Sequence, residues 1–109
     1  MNKYHAMKMT IDGIVFDSKK EAQRYMDLKI LERAGRVTKL ERQVKFVLIP
    51  SDRDKNGKVL RAVSYIADFT YLDERYNRHV EDVKGVKTSV YKLKKRLMWE
   101  KYHIEVEEV

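Results

Sequence analysis

The sequence predicts an α/β domain whose elements follow in the order hairpin, helix, three strands, helix and strand. Two stretches with helix-capping residues, one near each end of the chain, predict the helices. Between them, runs of aromatic and β-branched residues separated by polar turns predict the strands. No linker, repeat or low-complexity stretch interrupts the 109 residues, so residues 1–109 are expected to form a single domain.

The chain is expected to begin with a hairpin and a helix. Met7 to Phe16 should fold back at Asp12-Gly13, a dipeptide suited to a type I′ turn. Ser18 is a good N-cap and Glu21 stands at the capping-box spacing, which predicts that a helix begins here. Gly35 is a natural end for that helix, because glycine adopts the left-handed conformation without steric strain.

Three strands are expected in the middle of the chain. They span Val44–Ile49, Val63–Tyr71 and His79–Lys84, with polar turns at Asp54–Gly57 and Asp73–Asn77.

The last two of these strands predict a charged site. If they form an antiparallel hairpin centred near Arg75, Asp68 falls opposite Asp82. Because side chains alternate along a strand, Asp82 and Lys84 would share one face, while Glu81 would point to the surface or form a salt bridge. Two carboxylates and an ammonium would then meet on one patch, where a bound cation would offset the repulsion between the acids.

A second helix is expected from Thr88 or Ser89 to about Tyr102, followed by a strand from Ile104 to Val109. At helical spacing, the core-facing residues would be Val90, Leu93, Leu97 and Met98, and the opposite side would carry Lys92, Lys95, Arg96 and Trp99. That basic side is either a solvated surface with a partly covered tryptophan, or a surface that follows phosphates. In the second interpretation, the tryptophan stacks on a base or packs against another subunit.

Composition limits the classes of function. The net charge of +7 favours nucleic acid or another anionic partner. The chain has no cysteine, which excludes disulfides and thiolate metal sites, and its three histidines lack zinc-ligand spacing. The polar N-terminus lacks a signal-like region, and no apolar run reaches membrane-spanning length. The cell interior, without a membrane partner, is therefore the expected compartment.

These residues resemble the PD-(D/E)XK nuclease superfamily. The segments Phe16 to Ala22, Ala67 to Phe69 and Val80 to Gly85 are similar to a small family of phage and prophage proteins grouped with endonuclease I-type Holliday junction resolvases. Ala67 stands where the superfamily has its proline. The resemblance implies a restriction-endonuclease-like αβββαβ core, with a mixed sheet flanked by two helices. It also implies a protein of the cytoplasm of a bacterial host.

The resemblance further implies a Mg²⁺-dependent or Mn²⁺-dependent endonuclease that cuts branched DNA during recombination or replication, as a homodimer. Its catalytic residues would be Glu21, Asp68, Asp82 and Lys84, and its metal ligands Asp68, Asp82, Glu21 and the Val83 carbonyl. Contacts with DNA would come from Gln43, Lys87, Lys92, Lys95, Arg96 and Trp99.

Several alternatives stay open. Glu21 could serve only the capping box, and Gln43 could be an ordinary exposed residue at a strand edge. The protein could also be a non-catalytic nucleic-acid-binding protein that retains the nuclease fold. A third possibility is a phage structural protein whose basic face meets an acidic protein.

Overall fold

The structure of the protein is a computed structural model that describes residues 8–109. Two helices and eight strands are formed in this part of the chain. In chain order they are β1 (Met9–Ile11), β2 (Ile14–Phe16), α1 (Lys19–Arg33), β3 (Thr38–Ile49), β4 (Asp52–Arg53), β5 (Val59–Leu60), β6 (Val63–Leu72), β7 (Arg78–Asp82), α2 (Ser89–Tyr102) and β8 (Glu107–Glu108). The N-terminal hairpin, β1 and β2, is confirmed, and its predicted first residue, Met7, lies outside the described residues.

The central sheet has four strands in the order β3-β6-β7-β8. The first two pairs of neighbours are antiparallel and the last, β7 with β8, is parallel, so the sheet is mixed. Strands β4 and β5 form a separate two-stranded ribbon around the predicted turn at Asp54–Gly57. The predicted α/β class is therefore confirmed. Neither helix within residues 8–109 is long and apolar enough to cross a membrane.

The bounds of four strands differ from the prediction. Strand β6 ends one residue later, at Leu72, and β7 spans Arg78–Asp82 rather than His79–Lys84, so Lys84 lies just beyond its end. Strand β3 begins at Thr38 rather than Val44, because pairing with β6 extends the edge strand through a polar segment that apolar patterning does not reveal. Strand β8 has only two residues instead of the predicted Ile104–Val109, because its parallel pairing with β7 is limited to Glu107 and Glu108. Tertiary pairing, rather than local composition, sets the bounds of these last two strands.

Helix α1 begins and ends where its capping residues predict. The Ser18 hydroxyl accepts the Glu21 backbone N–H at 3.1 Å, and Gly35 takes a φ of +76° just after the helix. The Tyr25 hydroxyl donates to Asp12 Oδ2 at 2.9 Å, which ties the helix to the turn of the hairpin. The hairpin is thereby fixed against α1.

The predicted core-facing side of helix α2 is confirmed at Leu97 and Met98 but not in the first half of the helix. Tyr91 and Met98 are buried, whereas Val90 and Leu93 are 62% and 60% exposed, so the predicted core-facing stripe is wrong at these two positions. The prediction considered only aliphatic residues as core-facing. In the structure the large Tyr91 ring packs into the core, and its hydroxyl donates to Glu108 at 2.8 Å. An aromatic residue with a polar tip thus sets the rotation of the helix.

Glu81 lies on β7 next to Asp82 and points away from it, as alternation predicts. Its side chain is 1% exposed, accepts hydrogen bonds from Arg24 Nε and Nη2 at 2.8 and 2.6 Å, and accepts the Tyr71 hydroxyl at 2.5 Å. The salt bridge is confirmed, and a surface position for Glu81 is wrong. The fully paired carboxylate joins α1 to the sheet.

Candidate functional site

The two aspartates predicted to face each other do so. Strands β6 and β7 pair Phe69 with Glu81 in a register centred on Arg75, and the two aspartates are the next residues beyond this last pair, close enough for the Asp82 charge to raise the pKa of Asp68. The polar run between the strands fixes this register, because it is the turn of the hairpin. The hairpin therefore brings together two carboxylates that are distant in sequence.

Three further groups surround the aspartate pair. Asp68 Oδ2 accepts the Val83 backbone N–H at 2.8 Å, and Asp68 Oδ1 accepts the Gln43 side-chain amide at 3.2 Å. The Lys84 ammonium lies 3.0 Å from Asp82 Oδ1. The sequence predicts Asp68, Asp82, Lys84 and Gln43 at one site, and the structure brings these four side chains together. Val83 joins them through its N–H, and the predicted role of its carbonyl as a ligand remains a prediction.

The electrostatics of the patch disfavour two ionised acids. The pKa of Asp68 is raised to about 7, chiefly by burial and also by the neighbouring Asp82 and Glu21 carboxylates, while the Val83 N–H opposes the shift. A positive charge placed between the aspartates would remove this repulsion. The patch is therefore suited to bind a cation.

Two tyrosines complete the patch and were not anticipated as site residues. The Tyr65 hydroxyl donates to Asp82 Oδ2 at 2.5 Å, and the Lys84 ammonium lies 4.3 Å from the centre of the Tyr91 ring. Burial and the Asp82 carboxylate raise the pKa of Tyr65, so it stays a donor. The Tyr65 ring packs in the core, as expected of an aromatic residue on a strand. The contact of its hydroxyl with Asp82 has no signal in the sequence.

The site lies at the point on β6 where the strand stops packing against α2 and begins to pack against α1. Tyr65 and Ala67 pack in the core cluster of α2, whereas Phe69 and Tyr71 pack in the cluster of α1. In a regular strand these four residues would point the same way. The change falls at Asp68, next to Gln43 of β3, whose φ of +53° is in the left-handed region. Such backbone strain at a non-glycine residue is typical of functional sites.

Glu21, the predicted third carboxylate, lies at the edge of the site. Its carboxylate contacts Arg42 Nη2 at 3.5 Å. Burial raises the pKa of Glu21, Arg42 lowers it, and the charges of Asp17 and Asp82 raise it. Within residues 8–109, no three His, Cys, Asp or Glu side chains are grouped to hold a metal ion. A ligand role for Glu21 therefore remains a prediction.

The donor set at Asp68 and Asp82 nevertheless fits Mg²⁺ or Mn²⁺. Mg²⁺ is commonly bound through one or two carboxylates and keeps several waters, so it does not require a third acidic side chain. Burial is the main cause of the raised pKa of Asp68, and the Asp82 and Glu21 carboxylates add to it, so a bound cation would favour the ionised form of the pair. Asp68, Asp82 and the backbone carbonyl of Val83 are the groups that would hold the ion.

A second lysine, Lys20, reaches the site and was not singled out from the sequence. Its ammonium donates to the Lys84 carbonyl at 3.0 Å and so links the first turn of α1 to the end of the hairpin. In the sequence, the only indication of this second lysine near the site is the pair Lys19-Lys20, which directly precedes Glu21. Lys20 thus places a second positive charge beside the site.

The predicted DNA-contact residues on α2 lie together, away from the aspartates. A cavity of about 430 Å³ is lined by Lys92, Lys95, Arg96, Trp99, Glu105 and Val106. A different depression, lined in part by Asp82, Lys84, Val90, Tyr91 and Lys94, lies on the other side of the helix. Lys87, also predicted to contact DNA, pairs with Glu108 at 2.9 Å and is 52% exposed.

Comparison with known proteins places the chain in a family. No curated protein and no solved structure matches it. A family model described as "Protein of unknown function (DUF1064)" matches residues 1–108, which is almost the whole chain. The chain therefore belongs to the DUF1064 family.

Proposed function

We propose that this protein is a Mg²⁺-dependent or Mn²⁺-dependent DNA endonuclease of the PD-(D/E)XK type. The observation that supports this proposal is the convergence of Asp68, Asp82 and Lys84 at the end of one hairpin, where a single ammonium faces two crowded carboxylates. The mixed sheet with two helices is compatible with a restriction-endonuclease-like core.

Each residue of the patch has a role in hydrolysis of a phosphodiester bond. A divalent cation bound at Asp68 and Asp82 would supply charge neutralisation and a water of lowered pKa. The Val83 N–H and the Tyr65 hydroxyl hold these two carboxylates in position. The Lys84 ammonium, 3.0 Å from Asp82, orients the attacking water and offsets negative charge on the phosphate, and it could accept the water proton only after losing one of its own.

The substrate we propose is branched DNA, cut during phage recombination or replication in the cytoplasm of a bacterial host. Cutting two strands with one small site per chain calls for two copies, so the active form is proposed to be a homodimer. The net charge of +7 supports an electrostatic attraction to DNA in either form.

Cleavage of labelled DNA tests the proposal. The wild-type protein is expected to cut junction, flap or duplex substrates with Mg²⁺ or Mn²⁺ and to be inactive in EDTA. Lys84→Ala should reduce the rate by about 100-fold or more, because a positioned acid–base group contributes about 10²–10⁴-fold. Lys45→Ala is the matched control, because Lys45 is an exposed lysine on β3.

Two results would contradict the nuclease assignment: wild-type inactivity on every substrate, or unchanged activity in Lys84→Ala. Salt-sensitive binding to DNA without cleavage, and without dependence on divalent metal, would favour the non-catalytic binding protein instead. The basic cavity beside Trp99 is the observation that supports that second candidate. An absence of gel retardation at low salt would favour a protein partner with an acidic face.

A further inference from the structure

We propose that the cavity beside Trp99 binds one unpaired nucleotide of single-stranded nucleic acid. Its volume of about 430 Å³ falls within the range of small-molecule sites. One wall is formed by α2 and the other by the segment before β8, from which Glu105 and Val106 contribute. The binding of the nucleotide does not depend on the proposed nuclease activity.

The aromatic wall offers a surface for a base. Trp99 is 48% exposed, although an indole of this size is usually better covered. The His103 ring packs against it with 5.2 Å between ring centroids and a 60° tilt, which restricts how the indole can turn. A base stacked on such a ring contributes about 1–3 kcal/mol to binding, whatever its identity.

The cations at the cavity match the charge of the nucleotide backbone. Lys92 and Arg96 line the cavity from successive turns of α2 and are both exposed. Arg96 is paired with Glu100, but both side chains are about two-thirds exposed, so a phosphate can displace this screened contact. Among the described residues, Glu105 is the one acid that lines the cavity. It would repel the phosphate and can accept a hydrogen bond from an amino group of the base.

The cavity favours unpaired nucleotides because only an unpaired base has a free face to stack on Trp99. Both faces of a base inside a continuous duplex are covered by its neighbours, so it can contact an indole only after being extruded, which costs a few kcal/mol. An unpaired nucleotide in a flap, fork or junction avoids most of this cost. The cavity therefore predicts tighter binding to DNA with unpaired nucleotides than to continuous duplex.

The cavity is also connected to the aspartate site. Lys95 lines the cavity and contacts Glu108 at 3.4 Å, and Glu108 is the register partner of Asp82 on the adjacent strand. The cavity and Asp82 lie on different sides of α2, so a nucleic-acid strand held at Trp99 would have to pass around the helix to reach Asp82. If the proposed function holds, unpaired nucleotides beside the cleaved bond would direct cutting to branched substrates.

Trp99 is the only tryptophan of the chain, so its fluorescence reports on this cavity alone. We would titrate a short oligothymidylate into the Asp82→Asn protein in EDTA, where cutting cannot interfere. Saturable quenching is expected. The double variant Lys92→Ala/Arg96→Ala should weaken the affinity by about 10-fold or more through lost phosphate contacts. Lys101→Ala, which removes an exposed lysine outside the cavity, should leave the affinity unchanged.

A second variant separates stacking from general attraction to DNA. Trp99→Ala should weaken binding to the oligothymidylate by about 5-fold to 150-fold, measured by fluorescence anisotropy of labelled DNA, and should leave duplex affinity unchanged. Equal losses for both forms of DNA, or wild-type affinity in Trp99→Ala, would overturn the proposal. Quenching that depends on protein concentration, but not on DNA, would assign the cavity to a second copy of the chain and would also overturn it.

The two proposals fail in different ways. Retained binding at Trp99 in a protein that cuts no DNA would remove the nuclease function and leave this site standing. Cleavage that is lost in Asp82→Asn but unchanged in Trp99→Ala, together with no quenching of Trp99 by DNA, would support the nuclease function and remove the nucleotide site.

Discussion

Replacing Asp68 by asparagine is expected to abolish cleavage and, in the absence of metal, to raise the free energy of unfolding. The asparagine side chain would keep the shape of Asp68 and one oxygen to accept the Val83 N–H, and its NH2 group could donate to the Gln43 side-chain oxygen if that amide turns over. It would remove a charge that burial and the Asp82 carboxylate both disfavour. The difference between the ordinary pKa of 3.8 and the raised pKa of about 7 corresponds to about 4 kcal/mol of stability. Solvent screening of this part-buried group reduces the expected gain in the free energy of unfolding to about 1–2 kcal/mol.

The sign of the pH dependence follows from the raised pKa. The pKa of Asp68 is about 7 in the fold, against an ordinary value of 3.8 for an aspartate in the unfolded chain. The unfolded chain therefore loses its proton first, and the stability that this group contributes at low pH is lost as pH rises from about 4 through about 7. The gain from Asp68→Asn should thus be largest near pH 8 and vanish near pH 4, as measured by urea unfolding in EDTA.

Asp73→Asn is the matched control for this effect. Asp73 bonds His79 and the backbone N–H groups of Asn77 and Arg75, which lower its pKa to about 2. Its charge stabilises the fold at neutral pH, so the same substitution should destabilise the protein there. If Asp68→Asn lowered stability at every pH as Asp73→Asn does at neutral pH, Asp68 would be a structural acid rather than a crowded functional one.

Replacing Glu81 by glutamine is expected to give the largest loss of stability among single changes on the hairpin. Glu81 is 1% exposed and accepts three hydrogen bonds, two of them from the Arg24 guanidinium. Breaking one partner of a buried pair costs about 3–5 kcal/mol, and about 3 kcal/mol is expected here because Arg24 is 28% exposed and can recover some hydration.

Urea unfolding measures this loss, with Glu41→Gln on the exposed side of β3 as the control that should change stability by less than about 0.5 kcal/mol. The folded fraction of Glu81→Gln should keep its specific activity, because Glu81 points away from Asp68 and Asp82. A loss below about 1 kcal/mol would show that the Arg24–Glu81 pair does not hold α1 to the sheet.

The central part of the site could be predicted from the sequence, because a hairpin is a local structure. The polar run around Arg75 fixes the centre of the turn, and alternation then determines that Asp68 meets Asp82 and that Glu81 does not. The same locality allowed the caps at Ser18 and Gly35 to be predicted.

The remaining features depend on contacts between distant segments. The left-handed φ at Gln43 and the change of packing partner along β6 have no local sequence signal. The inward side of α2 depends on where the Tyr91 hydroxyl finds Glu108, which composition cannot reveal. The position of Glu21 beside Arg42 likewise depends on how α1 and β3 pack.

Binding of Mn²⁺ tests the cation site at Asp68 and Asp82 most directly. Titration of the metal-free protein with Mn²⁺, followed by calorimetry and by the electron paramagnetic resonance of the free ion, should show saturable binding by the wild type. Asp68→Asn and Asp82→Asn should each lose it, while Asp52→Asn, at an exposed acid of β4, should keep it. Equal Mn²⁺ binding by all four proteins, or none by the wild type, would contradict the account.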